Sequence, residues 1–230
     1  MIPCGLAQTS KTNLFLDPAA AEAVKARVAG LEAASGVEVV TAVIARADSY
    51  PEVPWKAFAL GASLAALVAA AMALFEPGWE AFDAVVETAV AVLAAGGTLA
   101  LGAVWITPCA RVFIPAERRE AEVRQYAQAL FLEHGLHRTQ RRDGILLLVS
   151  LLERQVVVVS DRAVNEKVAH SDLDSVVAAV TGALVRASLA DALLAGLERL
   201  DGILAQYGFR AQAGDTNELP DTVIQQRGPT

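Results

Sequence analysis

Cysteine is nearly missing from this 230-residue chain, which has only Cys4 and Cys109. Two thiols build no disulfide framework, and the pair fits a reducing compartment. Cys109 reads as a small apolar residue at an interface. Histidine is almost as scarce, at His134, His137 and His170. His134 and His137 have a spacing seen in metal sites, but no third ligand accompanies them and their neighbours are arginines. They read as ordinary polar residues at a helix end, and His170 as a solvated loop residue. A basic excess is also lacking. The formal charge is −7, and the acids Glu76, Glu80, Asp83 and Glu87 account for −4 of it, leaving −3 for the rest. Nucleic acid needs a basic face, so it is not the expected partner. The opening MIPCGLAQTSKTN has no basic stretch followed by an apolar one, so neither a cleavable signal nor a lipoprotein signature is expected. The chain has no P-loop, dinucleotide fingerprint, nucleophile elbow or zincin motif. Ser150 and Ser160 have no histidine near them in sequence. There is no internal repeat and no low-complexity tract.

What the chain has instead is two long apolar runs, residues 55–75 and 88–107, the first with Lys56 at its edge and the second with no charge. A helix of about 20 such residues spans roughly 30 Å, the hydrocarbon thickness of a bilayer. Both runs are apolar on every face, whereas a soluble helix shows a polar stripe. They account for the mean hydropathy of +0.41. Pro77 and Gly78 break the chain between them, which predicts a helical hairpin over 55–107. Trp55, Trp79 and Trp105 fall near run ends, where indole rings prefer the membrane interface. Gly61, Ala65 and Ala69 on one run, and Gly96, Gly97 and Gly102 on the other, let two helices approach closely. The connecting segment carries no Lys or Arg, while Arg46, Lys56, Arg111, Arg118, Arg119 and Arg124 flank the pair. Positive flanks stay inside. The expectation is a two-span protein of the inner membrane with both termini cytoplasmic and a lipid bilayer as partner. Glu87 is expected at the interface, since an acid deep in the bilayer is costly.

The remaining chain suffices for one compact domain. Asp17 and Pro18 open a helix as N-cap and first helical residue. Ala20, Val24, Val28 and Leu31 follow at helical spacing, and Gly36 ends it. Residues 37–45 (VEVVTAVIA) are rich in β-branched residues and predict a strand. Pro51 and Pro54 are expected to break the chain before the first span. After the second, a helix is expected over 116–134, with Val123, Tyr126, Ala127, Leu130 and Phe131 as its apolar stripe and Gly135 at its end. GILLLVSLL and QVVVVS, separated by little more than Glu153-Arg154, predict an antiparallel hairpin whose first strand is covered on both faces. Two helices follow, introduced by the capping patterns Ser171-x-x-Asp174 and Ser188-x-x-Asp191. From Ala211 on, the chain reads as a disordered tail, residues 211–230. The strands at 37 and 144, joined by a helix, are expected to be parallel. The domain is thus discontinuous, 14–54 and 108–210, with the hairpin inserted into the crossover. Prolines on both sides keep the connections short and set the domain close to the membrane.

Particular segments resemble the TPM domain family, that of the thylakoid acid phosphatase and photosystem-repair proteins. They are Leu31-Glu32, the stretch from Ser35 to Val40, Arg142-Asp143-Gly144, the Glu153-Arg154 turn, Ser160-Asp161-Arg162-Ala163-Val164, and Glu166-Lys167-Val168. The ending Asn217-Glu218-Leu219-Pro220-Asp221 is similar to that of bacterial members with a two-helix membrane insert. The resemblance implies an α/β, Rossmann-like sandwich, with a small mixed sheet flanked by helices. It also implies phosphatase and divalent-ion chemistry for Asp143 and Asp161. These two residues bracket the strand hairpin, so they are expected at one end of the sheet. Clustered carboxylates can hold Ca²⁺ or Mg²⁺, which polarises a phosphoryl oxygen. Arg142 and Arg162 beside them suit phosphate oxygens. A simpler reading stands alongside: Asp143-Gly144 is a turn, Asp161 caps the helix that follows, and the arginines neutralise the acids. Two functions follow. One is a binding or maintenance factor acting on a membrane-protein partner, and the other a divalent-metal-dependent phosphatase.

Overall fold

The computed structural model describes residues 15–75, 82–212 and 218–229. Cys4, Trp79, Asn217 and the turn at Pro77-Gly78 lie outside them. The chain divides into two compact units, one of residues 1–47 and 123–230 and one of residues 48–122.

The first unit holds a four-stranded sheet in the order β3-β2-β1-β4. Its strands are β1 (Val39–Ile44), β2 (Ile145–Ser150), β3 (Gln155–Ser160) and β4 (Ile224–Gln226). β1 runs parallel to β2 in the register Val39↔Ile145, and β2 antiparallel to β3 in the register Ile145↔Ser160. Both the parallel pairing and the hairpin match the sequence reading. Every residue of β2 is buried. Alternation explains this, because successive side chains leave opposite faces. Ile145, Leu147 and Val149 pack with α1 (Pro18–Ser35), α7 (His170–Leu184) and α8 (Leu189–Gln206) through Val28, Val176 and Leu197. Leu146 and Leu148 pack on the other face against Val123, Ala127 and Leu130 of α5 (Ala116–Glu133).

The caps of α1 are those expected: Asp17 accepts from the N–H of Ala20, and Gly36 is left-handed at φ 67°. Ser188 and Asp191 form a reciprocal capping box on α8. Ser171 does not cap α7, which begins one residue earlier, at His170, with Ala169 as N-cap and no side-chain bond. The tail reading also changes, because residues 224–226 form β4, parallel to β1. That strand was hidden because Gln225 and Gln226 bring no apolar pattern; their side chains bond instead. Gln225 Oε1 accepts from the N–H groups of Phe15 and Leu16 at 2.8 and 3.0 Å, and Tyr126 Oη donates to Gln226 Oε1 at 2.7 Å.

The second unit holds α2 (Glu52–Phe75), α3 (Phe82–Trp105) and α4 (Thr107–Val112). In chain order they lie between β1 and β2, so the parallel connection carries them as an insertion. α2 and α3 are long and apolar enough to cross a membrane, with mean hydropathies of 2.2 and 1.7 over their spans. Leu67, Leu74 and Leu93 are all more than 60 % exposed. Pro54 does not break the chain as expected; it stands in the first turn of α2, where no N–H is needed. The second helix starts earlier than residue 88, and its apolar run ends in a break at Ile106, after which α4 begins. A methyl group on Gly61 would stand 2.7 Å from the Ala95 carbonyl oxygen, and one on Gly96 would stand 2.8 Å from the Phe58 ring. These two glycines set the approach of the helices, whereas Gly97 and Gly102 have nothing within 4 Å. At the foot of the unit Arg118 gathers Asp48 at 3.2 Å, Glu52 at 2.5 Å and Glu122 at 3.5 Å. Its guanidinium also lies 5.7 Å from the centre of the Tyr50 ring.

Candidate functional site where the parallel strands begin

β1 and β2 start at the same end of the sheet, and β3, running the other way, finishes there. Glu38, Asp143 and Asp161 therefore come to one end of the sheet. Main-chain bonds fix the junction: the Ile145 N–H donates to the Glu38 carbonyl at 2.8 Å and the Asp161 N–H to the Gly144 carbonyl at 2.9 Å. Gly144 is required, since a Cβ there would stand 2.6 Å from the Leu136 carbonyl oxygen. Arg142 is left-handed at φ 55°, a conformation that costs a side-chain-bearing residue free energy. The loop holds it in place: its N–H donates to the Thr139 carbonyl at 3.1 Å, and its own carbonyl accepts from the Ala163 N–H at 2.9 Å.

The four residues singled out in the sequence are brought to this end and then sent to different partners. Gly144, not Asp143, stands opposite Asp161, so the two carboxylates are offset by one residue. The Asp143 side chain is only 3 % exposed and lies 3.1 Å from Arg141 Nε. Asp161 is the N-cap of α6 (Arg162–Lys167), with its Oδ1 accepting from the Arg162 N–H at 2.7 Å. Its Oδ2 lies 3.9 Å from Arg142 Nη1, so Arg142 and Asp161 form an ion pair. The Arg162 Nε donates to Glu166 at 2.6 Å, a bond that holds its guanidinium more firmly protonated than usual. The capping reading of Asp161 is thus what the structure displays, and Arg141 is the partner that sequence reasoning missed. Ca²⁺ takes six to eight oxygen ligands, whereas Mg²⁺ is held by one or two carboxylates together with waters. Among the described residues no three or more His, Cys, Asp or Glu side chains form a group that could hold a metal ion. His134 follows the end of α5, His137 lies in the turn of Leu136–Arg138, and His170 opens α7.

Sequence reasoning missed a second group at the same end. Glu32, from the last turn of α1, accepts from the Val39 N–H at 2.8 Å. Glu38 accepts from the N–H groups of Glu218 and Leu219 at 3.1 and 3.2 Å. Glu218 in turn accepts from the Gln140 N–H at 3.3 Å. Both Glu32 and Glu38 are 8 % exposed. Burial pushes the Glu32 carboxyl up from 4.5 to about 8; the charges of Glu38 and Asp221 and a hydrogen bond with Asp221 add to this, while the Val39 N–H opposes it. Burial also raises Glu38, with Glu218 and Asp143 adding and its two N–H donors opposing. The available signal was two acids flanking Gly36 in an otherwise apolar stretch, together with the acids Glu218 and Asp221 late in the chain.

Comparison with known proteins agrees with this architecture. Residues 110–203 match the model of the TPM domain. Among solved structures, the chain is similar to the BA42 protein of the psychrophilic bacterium Bizionia argentinensis, determined by NMR. The likeness covers 94 % of this chain and 98 % of that one, at a TM-score of 0.57 and 15 % identity, and so concerns the fold. No curated protein matches the chain.

Proposed function

From a chain that carries a TPM domain and two helices long and apolar enough to cross a membrane, we infer a membrane-anchored binding factor. The domain acts on a membrane-protein partner. The observation that carries this reading is the engagement of the two family aspartates: Asp143 is buried against Arg141, and Asp161 caps α6. The charge pattern supports an inner-membrane protein with both termini in the cytoplasm, since basic residues flank the spans and none lies between them.

The rival reading is a divalent-metal-dependent phosphatase using Asp143 and Asp161, and it rests on the family likeness. One experiment separates the two. The full chain in lipid nanodiscs is assayed on a generic phosphate monoester with and without Mg²⁺ or Ca²⁺, beside Asp143→Asn and Asp161→Asn. Hydrolysis at background in all three proteins, with a membrane protein recovered by crosslinking in membranes, is the expected result. Metal-dependent turnover that both substitutions abolish overturns the binding reading. A reporter fused after Thr230 tests the orientation, and a periplasmic signal refutes it.

A further inference from the structure

The two long helices of the second unit leave an open groove along one side. Its volume is about 690 Å³, and its lining comes from α2 and α3 alone. On α2 it follows one helical face from Gly61 through Ala65 and Ala69 to Met72. Over that stretch a helix rises roughly 16 Å, about three turns. On α3 Ala91 and Ala95 face the same space, and Glu87 stands in it at the end nearest the connecting segment. The helices meet at the other end, where Gly61 lies against the Ala95 carbonyl. Away from the groove the surface is bulky: Leu67 and Leu93, which do not line it, are 66 % and 62 % exposed.

Small residues at this spacing on both walls let a third helix bring its backbone close, which is how helices associate in a bilayer. The acid narrows the occupant further. Glu87 lies inside the apolar span Val85–Trp105, and a charge within a span is met by an opposite charge. A second copy of this chain brings none, since no Lys, Arg or His stands between Lys56 and Arg111 and the connecting segment is acidic. An acyl chain brings none either. We propose that the groove seats a single transmembrane helix of a different protein, which lays a small or apolar face between α2 and α3 and sets a Lys or Arg against Glu87. The proposal rests on the reading of a membrane-anchored chain with a membrane-protein partner, and it names the surface that takes that partner. Glu87 is close to one end of its span, so the cation it meets is close to one end of the partner's. A Lys or Arg is tolerated there, because its stem lies along apolar surface while its charge reaches the interface.

The test is energy transfer in phosphatidylcholine vesicles between the donor-labelled full chain and an acceptor-labelled peptide. The probe is a neutral, Trp-flanked Leu–Ala transmembrane peptide with one Arg near one end of its apolar stretch; its twin has Leu there. Transfer to the Arg peptide above the level of random encounter is expected, with an apparent affinity about tenfold that for the twin. Glu87→Gln is expected to remove this preference. Ala91→Leu, which fills the groove from an exposed position, is expected to weaken binding of the Arg peptide about tenfold. Leu93→Ala, away from the groove, is expected to change neither. Equal binding of the two peptides by the wild type overturns the proposal, as does binding of the Arg peptide that Glu87→Gln or Ala91→Leu leaves undiminished. Transfer between two copies of the chain, abolished by Ala91→Leu and without transfer to the peptide, gives the groove to a second copy and overturns it too. Transfer to neither leaves the groove to lipid and overturns it equally. In those last two cases a membrane protein recovered by crosslinking in membranes still upholds the binding reading, so the two ideas fail separately.

Discussion

Replacing Glu32 by Gln removes a titration without removing a shape. Glu32 is 8 % exposed and its carboxyl is raised from 4.5 to about 8, first by burial and then by Glu38 and Asp221. A carboxyl that binds its proton more tightly in the folded chain stabilises the fold fully below its unfolded value. That contribution is lost as the pH rises from about 4.5 towards 8, and above 8 there is no more to lose. Integrating between those values gives a loss of about 3 kcal/mol by pH 7 and about 5 kcal/mol at the alkaline limit. These are ceilings, because relaxation around the carboxyl lets the folded chain shed part of the cost. Gln is neutral throughout, can still accept from the Val39 N–H and can donate to Asp221. Glu32→Gln is therefore expected to match the wild type at about pH 4.5 and to melt higher at pH 7, by up to roughly 6–12 °C for about 3 kcal/mol in a unit of this size. The assay is thermal unfolding of the full chain in one detergent, followed by circular dichroism across the pH range. Melting curves of the two proteins that stay parallel from pH 5 to 8 refute the reasoning.

Four further substitutions test the packing and the caps. Gly144→Ala forces a methyl group against the Leu136 carbonyl, 2.6 Å from its Cβ, and should cost about 1–3 kcal/mol in denaturant unfolding. Leu147, fully buried in the centre of β2, should cost about 2–5 kcal/mol as Leu147→Ala, and an unchanged midpoint would contradict the buried central strand. Ser188→Ala should cost about 1 kcal/mol through loss of the α8 capping box, while Ser171→Ala should leave the midpoint where it is, since the N-cap of α7 is Ala169 and makes no side-chain bond.

These cases mark where the sequence is legible. Wherever a backbone demand meets a residue chosen for it, the reading and the structure agree: Asp17 and Gly36 bound α1, and Ser188 caps α8. The same holds where periodicity is strong. The unbroken apolar run of β2 predicted coverage on both faces, and two long, nearly charge-free runs predicted helices of membrane length. Pro54 misled because proline breaks a helix only beyond its first turn. Ser171 misled because its pattern sits one residue inside α7, where its hydroxyl is not the N-cap.

The candidate site was legible only to the level of the backbone. Pairing order put Asp143 and Asp161 at one end of the sheet, but two facts of side-chain geometry decided what they do there. A one-residue offset places Gly144 opposite Asp161, and Arg141, adjacent in sequence and unremarked, takes Asp143. The buried acids at this end were out of reach for a different reason. Glu38 and Glu218 are 180 residues apart, and β4 pairs through glutamines that carry no strand signal. Long-range polar contacts leave no period in a sequence, because each is a single meeting of two residues. The acid group of this end is therefore the part that only the folded chain reveals. It is built on Glu32 and Glu38, whose burial makes them the raised carboxyls of this end of the sheet, while Asp143 and Asp161 hold the loop and the helix that frame it.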